Sequence, residues 1–319
     1  MRNITLNTRP AIARQQRVSL SPLTFRSMTT DSISEIMPLL RASRTRANDF
    51  SIGGLLMWTD YFHYEYCIYG DTLFIKGVSE IHPELPAFSL PVGRMPLNRA
   101  VEIIVSYCNE NHLPLRFSAV PEDRIEELRA IIPGREEKLE DWADYIYEAT
   151  ALATLGGKKY NKKRNHVNRF ITENPDYKIE TISRDNLTEV RKAYISWLVD
   201  TDIDAASAAE ESLQTLKVID SYEAYPFEGI ILRGKGGKIA GFTMGEVIGD
   251  TLYSHIEKID HAVAGAGESI NKLFAEYITG HHPEVKYINR EEDAGDPGLR
   301  KAKESYHPVI KLEKYDVMV

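Results

Sequence analysis

FEGIILRGKGGKIAGFTMGEVIGDTLYSHIEKI, residues Phe227–Ile259, is the stretch whose reading decides the fold. It holds three runs rich in apolar and β-branched residues, Phe227–Arg233, Ile239–Val247 and Thr251–Ile259, parted by Gly236-Gly237 and Gly249-Asp250. Short glycine turns between runs of this length predict three consecutive antiparallel strands. Downstream, the small-residue loop Val263–Gly267 enters an amphipathic helix with Ile270, Leu273, Phe274, Tyr277 and Ile278 on one face. A strand at Val285–Asn289, a short helix at Gly298–Ser305 and a strand at Val309–Tyr315 close the chain. Upstream, the pattern predicts a strand at Tyr177–Ile182 and a helix capped by Asn186 that carries Val190, Ala193, Tyr194 and Trp197. A second helix follows from about Ala208 to Tyr222.

The first half follows a similar grammar. Leu23–Met28 alternates, and Asp31 caps a helix with Ile33, Ile36, Met37 and Leu40 on one face. Phe62–Val78 reads as a hairpin around Gly70-Asp71, and Ala87–Val92 as a further strand. Pro96 opens a helix whose buried side holds Ala100, Val101, Ile104, Val105 and Cys108. A strand at Leu115–Val120 and a helix from Pro121 to Ile132 complete it. Pro133-Gly134 and the charged run Arg135–Glu140 mark a boundary. Gly70-Asp71-Thr72-Leu73 recurs as Gly249-Asp250-Thr251-Leu252 within similarly ordered elements, which points to a tandem fold. The expected division is an arm over 1–19, a first domain over 20–135 and a second over 136–319.

Composition bounds the class. The chain has 319 residues, 43% hydrophobic and 27% charged, an ordinary globular balance with length for two cores. No apolar run approaches the ~18–20 residues that cross a bilayer. The polar start carries Arg2, Arg9, Arg14 and Arg17 without an apolar core, so no secretory signal is read and a cytoplasmic location is expected. Cys67 and Cys108 each sit in an apolar pattern and read as packed, reduced thiols. A net charge of −8 argues against nucleic-acid binding over the whole surface, which makes a local basic cluster informative.

Two stretches sharpen the fold reading: Leu155–Phe170 (LGGKKYNKKRNHVNRF) and Asn289–Tyr306 (NREEDAGDPGLRKAKESY). Together with the element order, they resemble an uncharacterised bacterial family related to the C-terminal domain of lysylphosphatidylglycerol synthases. That group is similar in turn to the Fem-type aminoacyl-tRNA-dependent transferases, which pair two acetyltransferase-like domains. The resemblance implies a mixed-sheet α/β protein of two tandem acyl-CoA N-acyltransferase-like domains. It further implies acyl or aminoacyl transfer, with aminoacyl-tRNA or acyl-CoA as the donor; the residues themselves offer no metal-ligand spacing, so no metal is expected.

Four groups of residues could carry that chemistry. Lys158, Lys159, Lys162, Lys163, Arg164 and Arg169 fall within twelve positions, with His166 among them. In a helix, Lys159, Lys162, His166 and Arg169 share a face, while Tyr160, Val167 and Ile171 lie on another. Like charges three and four apart cost stability, so the stripe suggests an anionic partner, tRNA or CoA phosphates being the natural ones; a solvated helix face is the plain alternative. In acetyltransferases the pyrophosphate rests on backbone N–H groups at the start of the long C-terminal helix, where Gly265 and Gly267 match the family pattern and Ala262 replaces its polar residue. By strand alternation Tyr253, His255 and Glu257 point to one side, and with Glu246 they offer an imidazole and carboxylates for proton removal. In the terminal motif Tyr306 could protonate a leaving group, and Arg300 or Lys303 could bind an anion; Asp293 paired with Arg290 or Arg300 would equally be scaffolding. The sequence holds no Walker loop, strand-linked G-x-G-x-x-G, His-x-x-x-His pair or G-x-S-x-G. A non-catalytic module that binds anions through Lys158–Arg169 is the reading from a different class.

Overall fold

The computed structural model describes residues 21–199 and 206–319. The arm expected over 1–19 lies outside the described residues. The first half runs β1 (Arg26–Ser27), α1 (Ile33–Leu40), α2 (Ile52–Leu56), α3 (Thr59–Phe62), β2 (Glu65–Tyr69), β3 (Thr72–Val78), β4 (Pro86–Phe88), β5 (Val92–Gly93), α4 (Leu97–Asn111), β6 (Arg116–Pro121) and α5 (Glu122–Ile131). Then come β7 (Arg135–Lys138), β8 (Asp144–Glu148), α6 (Ala149–Thr154), α7 (Asn161–Glu173), β9 (Lys178–Thr181), α8 (Leu187–Val199) and α9 (Ala206–Asp220). The chain ends with β10 (Glu228–Arg233), β11 (Ile239–Ile248), β12 (Thr251–Ile259), α10 (Ala266–His281), β13 (Tyr287–Asn289), α11 (Pro297–Glu304), β14 (Ile310–Leu312) and β15 (Lys314–Met318).

Two mixed sheets result. The first has the order β1-β2-β3-β4-β6-β15-β7, with β5 beside β3; the second is β14-β8-β13-β12-β11-β10-β9. Only β4–β6 and β12–β13 pair in parallel among the described strands, each across a helix that covers the sheet. The Gly70-Asp71 and Gly249-Asp250 turns close β2–β3 and β11–β12, so the repeated tetrapeptide occupies the same kind of hairpin in both sheets. No helix among the described residues is long and apolar enough to cross a membrane.

Several expectations are corrected. The final strand splits: Leu312 pairs with Asp144 in the second sheet, while Lys314–Met318 crosses to the first and pairs with β6 and β7. Division at 135/136 therefore does not coincide with division by sheet. The charged run read as a boundary is itself β7, held because β15 offers it a free edge. β8, which separates β13 from β14, is an addition to the expected strands, because nothing local marks Asp144–Glu148 as central. Ser89–Pro91 interrupts the strand expected over Ala87–Val92, since Pro91 has no N–H to give a ladder. Thr29 takes the capping place given to Asp31: its backbone N–H donates to Ser32 Oγ, and a 3-10 turn over Thr30–Ser32 precedes α1. On α7 the inward residues are Val167, as expected, and Phe170, fully buried, while Ile171 is exposed.

Three apolar clusters fill the layers. The first packs β2, β3 and β6 against α1, α2, α4 and α5, and takes in Ile146 and Leu312 from the second sheet. The other two cover opposite faces of the second sheet, one under α6, α7 and α10, the other under α8, α9 and Met57. Cys67 and Cys108 are buried free thiols, and burial pushes Cys108 up to about 11.

Candidate active site

Asn289-Arg290-Glu291-Glu292-Asp293-Ala294-Gly295 leaves the end of β13 where that strand parts from β12; their pairing ends at Tyr253 opposite Asn289. The segment is held by three hydrogen bonds. Asn289 Oδ1 accepts the Glu291 N–H at 2.7 Å, and the buried Lys303 ammonium donates to the carbonyls of Arg290, at 2.6 Å, and Glu292. Glu291, Ala294 and Gly295 adopt positive φ (60°, 47° and 78°), a conformation costly for the two non-glycine residues and maintained by those bonds. The result is that four consecutive charged residues face four separate partners.

Arg290 turns toward α10 and α11. Its Nη2 donates to Glu257 at 3.0 Å, its guanidinium lies 5.0 Å from the Tyr306 ring, and its Nη1 is buried with no protein hydrogen-bond partner. The Lys163 ammonium sits 3.9 Å from the Tyr306 ring and 3.5 Å from Glu268. Tyr306 is 5% exposed; burial raises its hydroxyl pKa despite the opposing Arg290 charge. Asn271 donates to Glu257 Oε2 at 3.3 Å. This cluster joins two predicted site residues, Tyr306 and Glu257, to Arg290 and Lys163, neither of which was given a catalytic role from sequence.

Glu291 turns the other way, toward the first half. His255 lies between two carboxylates, Nδ1 2.8 Å from Glu291 Oε1 and Nε2 2.9 Å from Glu246 Oε1. Glu246 Oε1 also accepts the Gly53 N–H of α2 at 2.7 Å. A Cβ on Gly53 would stand 2.4 Å from the imidazole, so only glycine lets α2 approach. The expectation that Tyr253, His255 and Glu257 share a side is corrected here. Met244 opposes Ile256 and Gly245 opposes Ser254, leaving His255 as the extra residue of a β-bulge. The bulge reverses the alternation beyond it: Leu252 joins the cluster under α10, whereas Ile256 joins the cluster on the opposite face. Glu246 and His255 are thus separated from Glu257 and Tyr306 by the sheet itself.

Burial disfavours the His255 cation, but Glu246 and Glu291 outweigh it and raise its pKa to about 9. At neutral pH it is an imidazolium with both nitrogens engaged, which suits bracing rather than proton removal. A raised folded-state pKa stabilises fully below the unfolded value, near 6.5, and that stability is lost as pH climbs through 9. The expected outcome is a melting midpoint that declines between pH 6.5 and 9.5, a contribution of about 3 kcal/mol at most, and a flatter profile in His255→Gln. Equal slopes in the two proteins would remove the imidazolium from this role.

Glu292 and Asp293 complete the set. Glu292 lies 3.9 Å from Lys314, and burial, opposed by that lysine, pushes it up to about 7. Asp293 accepts from Arg300 at 2.7 and 2.9 Å, from Tyr145 Oη at 2.6 Å and from the Gly295 N–H at 3.0 Å. These bonds overcome its burial and bring it to about 2. Arg300 also reaches Asp141 at 2.6 Å, so its donors serve the scaffold that fixes the loop.

The other predicted residues fall on α7 and the start of α10. Lys158, Lys159, Lys162, His166 and Arg169 are all exposed; Arg169 pairs with Glu173 at 2.7 Å, and Arg164 is spent on the carbonyls of Leu155 and Gly157. Gly265 has φ +75°, and a Cβ there would lie 2.2 Å from the His166 carbonyl oxygen, so α7 covers this turn. Gly267 follows in the first turn, and Glu268 there places a carboxylate at the helix N-terminus.

Comparison with solved structures fixes the architecture. A conserved protein of unknown function from Bacteroides thetaiotaomicron superposes with a TM-score of 0.85 at 32% identity, covering 92% of this chain and 99% of that one. L-PGS from Bacillus licheniformis gives 0.62 at 15% identity over 89% and 91%, and FemX gives 0.59 at 8% over 93% and 98%. An uncharacterized protein of Mycoplasmoides gallisepticum is 26% identical over 182 residues, 56% of this chain and 57% of that protein's length. The fold is a tandem acetyltransferase-like one. Residues 41–318 match the phosphatidylglycerol lysyltransferase C-terminal family, and the chain belongs to that family.

Proposed function

We propose that the chain is an aminoacyl transferase that draws its acyl group from an aminoacyl-tRNA, with Arg290, Tyr306 and Glu257 at the reacting centre. The observation that carries this reading is the Arg290 guanidinium, one arm fixed by Glu257 and the other buried without a protein partner. A buried, unpaired donor is poised for a ligand oxygen, and a developing oxyanion gains most from it. The acceptor's nucleophile bonds to the acyl carbon and the ester bond to the tRNA ribose breaks. Glu257 takes the proton lost by the nucleophile, Tyr306 gives one to the leaving ribose oxygen, and the two re-equilibrate through solvent. Lys163 links this centre to the exposed cations of α7, which contact the tRNA phosphates.

Two features favour tRNA over acyl-CoA. The turn at Gly265 is packed against α7, and Glu268 occupies the helix N-terminus where a pyrophosphate would need unobstructed N–H groups. The test is binding of a charged tRNA pool at two salt concentrations. Affinity is expected to fall at least tenfold as salt rises fourfold, and to weaken further in Lys158→Glu/Lys159→Glu/Lys162→Glu. Salt-independent binding, or a melting midpoint raised several degrees by millimolar acetyl-CoA, overturns the donor assignment.

A further inference from the structure

A groove on the first half, where it borders the second sheet, is lined by five arginines and two carboxylates, in a chain whose net charge is −8. It has two arms that meet at Ser43 and Arg44. The narrow arm, about 150 Å³, lies between the 41–46 loop after α1 and the Gly249-Asp250 turn of the second sheet. Its lining includes Arg41, Arg44, Arg46, Thr45, Thr251 and Tyr253. The wide arm, about 550 Å³, runs between the loop before α4 and helix α5. Arg94 and Arg124 line it together with Val92, Met95, Leu97 and Ile131.

Both carboxylates of the groove are already neutralised. Asp250 accepts from Arg46 at 2.8 and 3.2 Å, and Glu127 accepts from Arg124 at 2.7 and 3.0 Å. Arg41 and Arg44 are exposed, and their side chains meet no acidic or hydrogen-bonding partner among the described residues. Arg94 lies 3.9 Å from Asp71, with the two side chains 86% and 75% exposed, a pairing that contributes little. Three guanidinium groups are therefore available around one concavity. Cations gathered in a cleft repel one another and focus a positive field, a cost that a bound anion removes. Guanidinium forks match phosphate oxygens two at a time. A phosphomonoester carries only about −1.5 to −2 at neutral pH, so three available cations match a diphosphate better. The wide arm has the volume of a small-molecule pocket and an apolar wall, which suits an organic body attached to that diphosphate.

We infer that this groove binds a water-soluble organic diphosphate of the nucleoside diphosphate class. Its phosphates meet Arg41, Arg44 and Arg94 at the junction of the arms, and its organic body lies on the apolar wall of the wide arm. The site is separate from the reacting centre. It reaches Tyr253, whereas Glu257 lies four residues farther along β12 (257 − 253), about 13 Å at the rise of a strand. The assignment stands whether or not the transfer proposed above takes place.

Inorganic pyrophosphate, ADP, AMP and sulfate are titrated into the full chain by calorimetry at low, fixed ionic strength, with the melting midpoint as a second readout. Pyrophosphate and ADP are expected to bind at least tenfold more tightly than AMP and sulfate. Arg44→Gln/Arg94→Gln is expected to lose at least tenfold of that affinity with an unchanged midpoint in the absence of ligand, since both side chains are exposed. ADP binding more tightly than pyrophosphate supports the organic body on the apolar wall, and equal binding of the two overturns that half of the assignment. Sulfate binding as tightly as pyrophosphate, or undiminished binding in the variant, overturns the site. A variant that loses tRNA affinity, in a protein to which pyrophosphate does not bind, gives the groove to nucleic acid and overturns it as well. Acetyl-CoA carries a diphosphate, so its melt is repeated in Arg44→Gln/Arg94→Gln, where a rise that persists belongs to the donor site and not to this groove.

Discussion

Lys314→Met is expected to lower the unfolding free energy by about 3–5 kcal/mol, the cost of leaving buried carboxylates without their cation. Lys314 is 2% exposed and holds Asp49 and Asp144 together; burial works against its charge, but Asp144 and Asp49 raise its pKa well above the usual lysine value. Asp144 is fully buried and also accepts the Asn48 N–H at 2.6 Å and the Asn289 amide at 3.0 Å. Lys314 belongs to the first sheet and Asp144 to the second, so one residue ties the halves together. Urea denaturation at neutral pH measures the loss. Because the penalty is an uncompensated charge, Lys314→Met/Asp144→Asn is expected to recover part of it. A single-variant loss below about 1 kcal/mol, the level of an exposed ion pair, would mean that the network is solvated.

Arg290→Gln is expected to reduce single-turnover aminoacyl transfer by about 10²–10³-fold with little change in donor affinity, as removal of an oxyanion donor does. Glutamine keeps a polar group but loses the charge, and so also leaves Glu257 without its 3.0 Å partner. The rate of ester loss from a charged tRNA pool with an added amine acceptor gives the turnover, and binding of the same pool gives the affinity. A variant that loses tRNA affinity while transferring at the original rate would place Arg290 in donor binding instead. Tyr306→Phe distinguishes proton donation from packing: the ring stays beside Lys163 and Arg290, so a fall in rate at unchanged melting temperature belongs to the hydroxyl.

Legibility followed the range of the interactions. The hairpin β11–β12, helix α10 and the repeated Gly-Asp turn could be read because each is specified by residues close in sequence. Tyr306 and Glu257 were nameable as polar residues at the ends of strongly patterned elements. Arg290 was visible only as half of a scaffold pair, since its partner Glu257 lies 33 positions away. The bulge at His255 left no local signal: Tyr253, His255 and Glu257 alternate perfectly in sequence, and only the β11 register shows the extra residue. Nothing near position 53 in the sequence calls for glycine, because the contact that requires it comes from an imidazole 202 positions on (255 − 53).

The sequence by itself determined two α/β halves, their longer helices and hairpins, and a charged loop after β13, because periodicity and turn chemistry act over a few residues; the short helices α2, α3 and α6 were not read. Tertiary structure alone decided that β15 returns to the first sheet and that Arg290, Glu291, Glu292 and Asp293 serve four different partners. Each of these depends on which distant strand edge or buried charge is met, and a neutralised charge or a filled edge is defined only once both partners are in place.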